Sequence, residues 1–166
     1  MKVRPETPDD TREIYDLLAA CFPTQDEARL VNSLRESGRL LLSLVAESDG
    51  RIVGHLAFSP VNTASGATGV GLAPVSVAES HRRQGIATTL IRDGMSRCRT
   101  AGYGWAVVLG EPNYYGRFGF RPAATCGLSD EYGGGEAFQV CELVPSAIPL
   151  GAGLVRYASD FEALGG

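Results

Sequence analysis

The sequence predicts an α/β fold of the α+β kind: a mixed, mostly antiparallel sheet flanked by helices, in a single domain over residues 1–166. Three observations predict it. Two apolar runs, Leu40 to Ala46 and Ile52 to Ser59, are joined by Ser48-Asp49-Gly50-Arg51, and Asp-Gly between such runs is a strong hairpin signal. A strand, a helix and a second strand then follow one another between Val70 and Leu109, the order that yields a parallel pair. Ahead of the hairpin, Ile14, Leu17, Leu18 and Cys21 repeat at helical spacing and give one apolar face.

Taken in order, Lys2-Val3-Arg4 allows a short first strand, and Thr7-Pro8-Asp9-Asp10 reads as a helix start, with Thr7 capping and Pro8 at the first helical position. A second helix is predicted from Thr24-x-x-Glu27, a capping-box pattern, through Leu30, Val31 and Leu34 to a terminating Gly38. After the hairpin, the small polar stretch from Thr63 to Gly69 should turn into a strand over Val70 to Val77. That strand contains Pro74, which cannot donate to a ladder, so an irregularity or free edge is expected there. The next helix runs from Ile86 to about Arg99, with Arg97 and Arg99 near its negative pole and Gly102 beyond. Trp105 to Leu109 is a continuous apolar run, as for a buried strand. Residues 123–136 read as a loop, and Ala137 to Leu143 and Leu154 to Tyr157 as the last strands.

Composition excludes several classes. With 44% hydrophobic and 20% charged residues the chain is globular and not disordered, and a net charge of −4 argues against a surface that tracks nucleic-acid phosphates. There is no run of membrane-spanning length and no apolar leader after Met1, so a cytoplasmic protein with reduced thiols is expected, with no membrane partner. Cys21, Cys98, Cys126 and Cys141 form no C-x-x-C, and His55 and His81 make no H-x-x-x-H pair, so no metal site is expected.

The stretch that carries chemistry is His81-Arg82-Arg83-Gln84-Gly85-Ile86-Ala87-Thr88-Thr89, a basic glycine-containing turn between a strand and a helix. A helix start offers amide donors and a positive dipole end, so such a turn can hold an anion such as a pyrophosphate. Taken alone it is equally an ordinary strand-to-helix turn with surface arginines. It is not a P-loop, because Gly85 is followed by Ile86 and not Lys, and neither Gly69-x-Gly71 nor Gly102-x-Gly104 completes a G-x-G-x-x-G dinucleotide fingerprint.

Arg82-Arg83-Gln84-Gly85-Ile86-Ala87 resembles motif A of the GNAT superfamily of N-acetyltransferases, [QR]-x-x-G-x-[GA] after a strand. A second hallmark follows at the right separation: Tyr115 to Gly119-Phe120 resembles the family's short helix ending in Tyr-x-x-x-Gly-Phe. Gly54-His55-Leu56-Ala57-Phe58-Ser59-Pro60, together with the run from Gly110 to Phe120, looks like a poorly characterised bacterial subgroup of that family. The resemblance covers roughly residues 1–122 and implies a twisted sheet whose two central parallel strands splay to admit acetyl-CoA.

It also implies a division of labour. Backbone amides from Arg83 to Thr88, with Arg82 beside them, would cradle the pyrophosphate, and Val75, Ser76 and Val77 would meet the pantetheine arm as if it were an extra strand. Tyr115 matches the position that in many members returns a proton to the departing thiolate, a step suited to a phenol, which stays protonated near neutral pH. Its alternative is an aromatic packed on Phe118 and Phe120. Glu111, just after a buried strand, is the preferred general base; Glu79 and His55 are alternatives, though a strand histidine is more often a packing residue, and a water chain needs no base. Asn113 would bond the cofactor or cap the short helix.

The function expected is transfer of an acetyl group from acetyl-CoA to a small-molecule or peptide amine acceptor by direct attack in a ternary complex, in a monomer or homodimer. No Gly-x-Ser-x-Gly element is present, which disfavours an acyl-enzyme. The rival is a non-catalytic acyl-CoA-binding module using the same loop. Asp130, Glu131 and Glu136 make the 123–136 loop either a solvated connection or a lid over a cationic acceptor.

Overall fold

The hairpin predicted at Ser48–Arg51 closes through Asp49 and Gly50, both at positive φ, 51° and 76°. Those values suit the tight turns whose twist matches that of paired strands. In the computed structural model, which describes residues 1–164, the strands are β1 Lys2–Pro5, β2 Leu42–Ser48, β3 Arg51–Thr63, β4 Thr68–Val77, β5 Trp105–Leu109, β6 Arg121–Pro122, β7 Leu128–Asp130, β8 Phe138–Glu142 and β9 Gly153–Tyr157. The helices are α1 Thr11–Cys21, α2 Asp26–Glu36, α3 Ile86–Thr100 and α4 Pro112–Tyr115.

The sheet is mixed and mostly antiparallel, in the order β1-β2-β3-β4-β5-β8-β6, with β9 pairing β3 and β7. The parallel pair expected around α3 is β4 with β5, registered over Val70–Leu72 against Ala106–Val108, two residues short of Pro74.

Several boundaries differ from expectation: β2 runs Leu42–Ser48 in place of Leu40 to Ala46, α2 begins at Asp26 with Gln25 and not Thr24 as its cap, and three further differences have a visible physical cause. The N-terminal helix start produces first a 3-10 turn, Pro8–Asp10, because the Asp10 carboxylate accepts both the Thr7 N–H (2.7 Å) and its hydroxyl (3.1 Å). The Arg4 guanidinium bonded to that carboxylate holds its pKa down at about 2. Strand β3 does not stop at Ser59 but runs on to Thr63, where its last residues pair with β9. The region 123–136 is more than a loop, for it holds a 3-10 turn at Ala123–Cys126 and the short strand β7, parallel to β9.

The chain packs as two compact units. The first takes Met1–Phe58, Pro74–Gly94 and the chain from Ser159; the second takes Ser59–Ala73 and Met95–Ala158. In the first, Ile14, Leu17 and Leu18 of α1 and Ala28 and Val31 of α2 bury against Val45 and Ile52 of the hairpin. Each Ile, Leu or Val side chain taken out of water here contributes about 1.5–3 kcal/mol, so this apolar face is what keeps two short helices formed. On α3, Ile86 and Leu90 lie over Gly54, where a Cβ would meet Ile86 Cγ2 at 2.9 Å. The absent side chain lets the helix seat closely on β3 and fixes where its N-terminus emerges. In the second unit, Trp105 lies on Gly69, and Tyr157 with Val61 on Gly71. Cys98, Cys126 and Cys141 are buried and all four cysteines are free thiols.

Candidate active site

Two constellations of sequence-predicted residues form, one in each unit. In the first unit, β4 ends at Val77 and the chain makes a 3-10 turn, Glu79–His81, before the loop 82–85 and the N-terminus of α3. Arg82 turns back on the strand, its Nε donating to Val77 O at 3.1 Å, so the loop is tied to the strand it leaves. Glu79 serves the turn with its carbonyl, which accepts the Arg82 N–H at 3.4 Å.

Arg83 and Gly85 both take positive φ, 63° and 80°. Alternation into the left-handed region turns successive amides to one side and makes an anion-binding concavity. Gly85 adopts this without penalty; Arg83 does so at a cost of about 1–2 kcal/mol, a strain that local structure must hold. The ladder of α3 opens with Thr89 N–H donating to Gly85 O at 3.0 Å, which leaves the amides of Ile86 and Ala87 at the positive end of the helix. A Cβ built on Gly85 meets nothing within 4 Å, so an oxyanion can approach the backbone there. Arg82, Arg83, Gln84 and Gly85 are exposed, Ala87 and Thr88 half-buried, and Ile86 is buried under the helix. Upstream, Val75 and Val77 are half-buried and Ser76 is buried with an unpartnered hydroxyl among the described residues.

In the second unit the chain leaves β5 through Gly110, whose N–H donates to Ala137 O at 3.0 Å and whose carbonyl accepts from Gln139 Nε2 at 3.2 Å. Gln139, only 1% exposed, was no sequence candidate, and its one legible sign is a polar residue inside an apolar strand. It anchors the turn that launches α4. Glu111 caps α4, its carboxylate accepting the Asn113 N–H at 3.2 Å. Both residues are exposed.

Tyr115 closes α4, and its ring meets Tyr114 and Phe120 edge-on at centroid distances of 5.1 and 5.9 Å. Gly110 lies beneath it, where a Cβ would stand 2.3 Å from the ring. Burial, and secondarily the neighbouring Tyr114 hydroxyl, pushes the Tyr115 pKa up to about 12. The phenol therefore keeps its proton throughout the neutral range. Gly119 turns the chain at φ 94°, as the Tyr-x-x-x-Gly-Phe spacing expects of its glycine.

Comparison with known proteins decides the family. A profile of the acetyltransferase (GNAT) domain matches residues 2–123. The chain belongs to the GNAT acetyltransferase family. An uncharacterized N-acetyltransferase of Escherichia coli K12, YhbS, is 42% identical over 164 residues, covering 97% of this chain and 98% of its own. The crystal structure of E. coli YhbS in complex with CoA matches with a TM-score of 0.91 and 41% identity, over 97% of this chain and 91% of that one. A GNAT acetyltransferase of Brucella melitensis in complex with acetyl-CoA matches at 0.81 and 37% identity, over 96% of this chain and 97% of that one. The GNAT family and the mixed sheet read from the sequence are thus shown, the relatives matching over 96–97% of this chain. Among the described residues no helix is long and apolar enough to cross a membrane, and no His, Cys, Asp and Glu cluster could hold a metal ion.

Proposed function

We propose that this GNAT protein transfers the acetyl group of acetyl-CoA to a primary amine by direct attack. The observation that carries the reading is the loop 82–88, where positive φ at Arg83 and Gly85 gathers amide donors at the start of α3. Relatives of matching length bind CoA and acetyl-CoA, which supports the same ligand for this loop. In this reading the backbone from Arg83 to Thr88 holds the pyrophosphate, with Arg82 and Gln84 beside it, and main-chain groups of Val75, Ser76 and Val77 meet the pantetheine arm.

Tyr115 then serves as the acid. When the amine nitrogen bonds the acetyl carbon and the C–S bond breaks, the sulfur needs a proton, and a phenol of raised pKa is protonated and ready to donate it. Glu111 is the base expected from sequence, but its carboxylate is engaged with the Asn113 N–H, and both residues then act by holding the start of the helix that bears Tyr115. Glu111→Gln, which keeps an acceptor oxygen, is expected to lower kcat less than tenfold; a loss of 100-fold or more with CoA binding intact would restore Glu111 as the base. The acceptor is a small-molecule or peptide amine.

Isothermal titration with CoA and acetyl-CoA, followed by an amine screen for free-thiol release, tests the reading. Binding without transfer to any amine would favour the acyl-CoA-binding module. No binding by the folded chain would end both readings.

A further inference from the structure

The first unit contains a hydrogen-bonded chain that the acetyl-transfer reading has not used. Arg35 pairs with Glu6 through Nε to Oε2 (2.8 Å) and Nη2 to Oε1 (2.9 Å). The Ser43 hydroxyl bonds Glu6 Oε1, and its oxygen lies 2.8 Å from His55 Nε2. His55 is fully buried, at 0% exposure, and its other ring nitrogen, Nδ1, has no hydrogen-bond partner among the described residues.

The order of donors fixes the proton on this imidazole. Burial works to raise the Glu6 pKa, but the bonds from Arg35 and Ser43 outweigh it and hold the carboxyl below its usual range. Glu6 is therefore an acceptor only, Ser43 must donate to it, and the Ser43 oxygen is left to accept. His55 accordingly carries its hydrogen on Nε2, and Nδ1 is a bare, buried lone pair. Burial first of all keeps the ring neutral, pulling its pKa down to about 4, with Glu6 opposing this and Arg35 adding to it.

The residue that bears this lone pair lies beside the strand assigned above to the pantetheine arm. Ala78 N–H donates to Val53 O at 2.8 Å, and in antiparallel pairing this sets His55 level with Ser76 and on the same face. The Ser76 hydroxyl is itself buried and without a partner among the described residues. Two orphaned polar atoms on adjacent strands call for a third group between them, and a water with a donor and an acceptor to meet fits that chemistry. At its other end the chain opens to solvent, since Glu6, Arg35 and Ser43 line a surface pocket.

We propose that His55 accepts the proton released by the reaction, drawing it at Nδ1 through a water held with Ser76 and passing it on from Nε2 by way of Ser43 and Glu6 to solvent. The proposal rests on the acetyltransferase reading. An ammonium substrate enters with three protons: one stays on the amide nitrogen as the N–C bond forms, and one restores the phenol of Tyr115 after it has protonated the sulfur as the C–S bond breaks. The third leaves by this route, as Nδ1 gains a proton, Nε2 gives one to Ser43 Oγ, and Ser43 gives its own to Glu6. Since His55 acts through water, it positions and relays and does not touch the amine.

Two measurements on the full chain test this. Long-range 1H–15N correlation reports the tautomer directly, and with only two histidines a His81→Gln variant assigns the signals. The Nε2–H form is expected in the native chain, with Nδ1–H gaining in Ser43→Ala and Glu6→Gln; Nδ1–H in the native chain overturns the proposal. The second is kinetic, with an amine found in the screen. His55→Gln reaches Ser43 but lacks an acceptor at the Nδ1 position, and its kcat should fall about 100-fold with the CoA Kd within twofold. His55→Asn, which keeps a hydrogen-bond acceptor near Nδ1 but cannot pass a proton on, should be as slow as His55→Gln; recovery of kcat by Asn would overturn the relay and leave His55 a residue that only positions the water. If His55→Gln does not fold, Ser43→Ala decides, with a fall of tenfold or more expected. Unchanged kcat in folded His55→Gln, or in Ser43→Ala, would sink the role of His55 alone. A native chain that acetylates no amine sinks the acetyltransferase reading and this role with it.

Discussion

The loop at 82–88 and the turn at 110–115 carry the two halves of the proposed chemistry by opposite means. The loop is exposed and works through its backbone: the side chains of Arg83 and Gln84 are exposed, and in the proposed reading what matters is where positive φ at Arg83 and Gly85 sends the amides. The turn works through one side chain, Tyr115, whose ring is held by Tyr114, Phe120 and the bare Cα of Gly110. The difference teaches where each is fragile. A backbone site tolerates many side chains and few changes of conformation or charge; a packed side-chain site tolerates neither added volume nor a lost functional atom.

The sharpest way to break this contrast is Gly85→Asp. A carboxylate in the open space beside Gly85, on a residue forced to φ 80°, should weaken CoA binding at least 100-fold by titration. Left-handed strain should lower its melting temperature by a few degrees, about 1–2 kcal/mol, while the fold stays intact because the added Cβ meets nothing; unchanged affinity would mean that the anion binds elsewhere. Next in size is Tyr115→Phe, which keeps the ring and removes the proton. Stopped assays of thiol release should show kcat lower by about 100-fold with CoA affinity within twofold, and equal losses in both would make Tyr115 a packing residue.

Gly110→Ala probes the packing under that ring. With a Cβ 2.3 Å from Tyr115, chemical denaturation should show a loss of about 1–3 kcal/mol, whereas the open Gly85 position would show no such steric cost. The smallest effect belongs to Arg83→Gly. Relief of left-handed strain at φ 63° should raise stability by up to about 1 kcal/mol while CoA affinity falls, a split that no residue of the Tyr115 turn should reproduce.

Legibility in the sequence followed the same divide between local and distant. The loop could be read because its chemistry is contiguous, from Arg82 to Thr88, and Gly85 announces its own backbone geometry. Tyr115 could be read because a helical turn separates it from Gly119-Phe120. The hairpin and the strand–helix–strand order were equally local. Strand β7 was hidden because its three residues follow small and polar ones and owe their form to β9, reached only after another 22 residues. The chain from Arg35 to His55 was illegible for a related reason. Glu6 lies 29 positions from Arg35 and 37 from Ser43, so only strand pairing combined with the packing of α2 brings them together, and His55 read alone resembles an ordinary packing residue. Gln139 shows the same limit, since its partner is the carbonyl of Gly110, 29 positions earlier.

One contact in the second unit has a spectroscopic consequence. Trp105 is the only tryptophan of the chain, 3% exposed, and its indole rests on Gly69 of β4, one residue before the start of the parallel ladder. Its emission should therefore be blue-shifted in the native state and sensitive to any parting of β4 from β5. The protein carries an intrinsic fluorophore across the seam of its parallel strands, so any parting of β4 from β5 on addition of acetyl-CoA would be read in real time without a label.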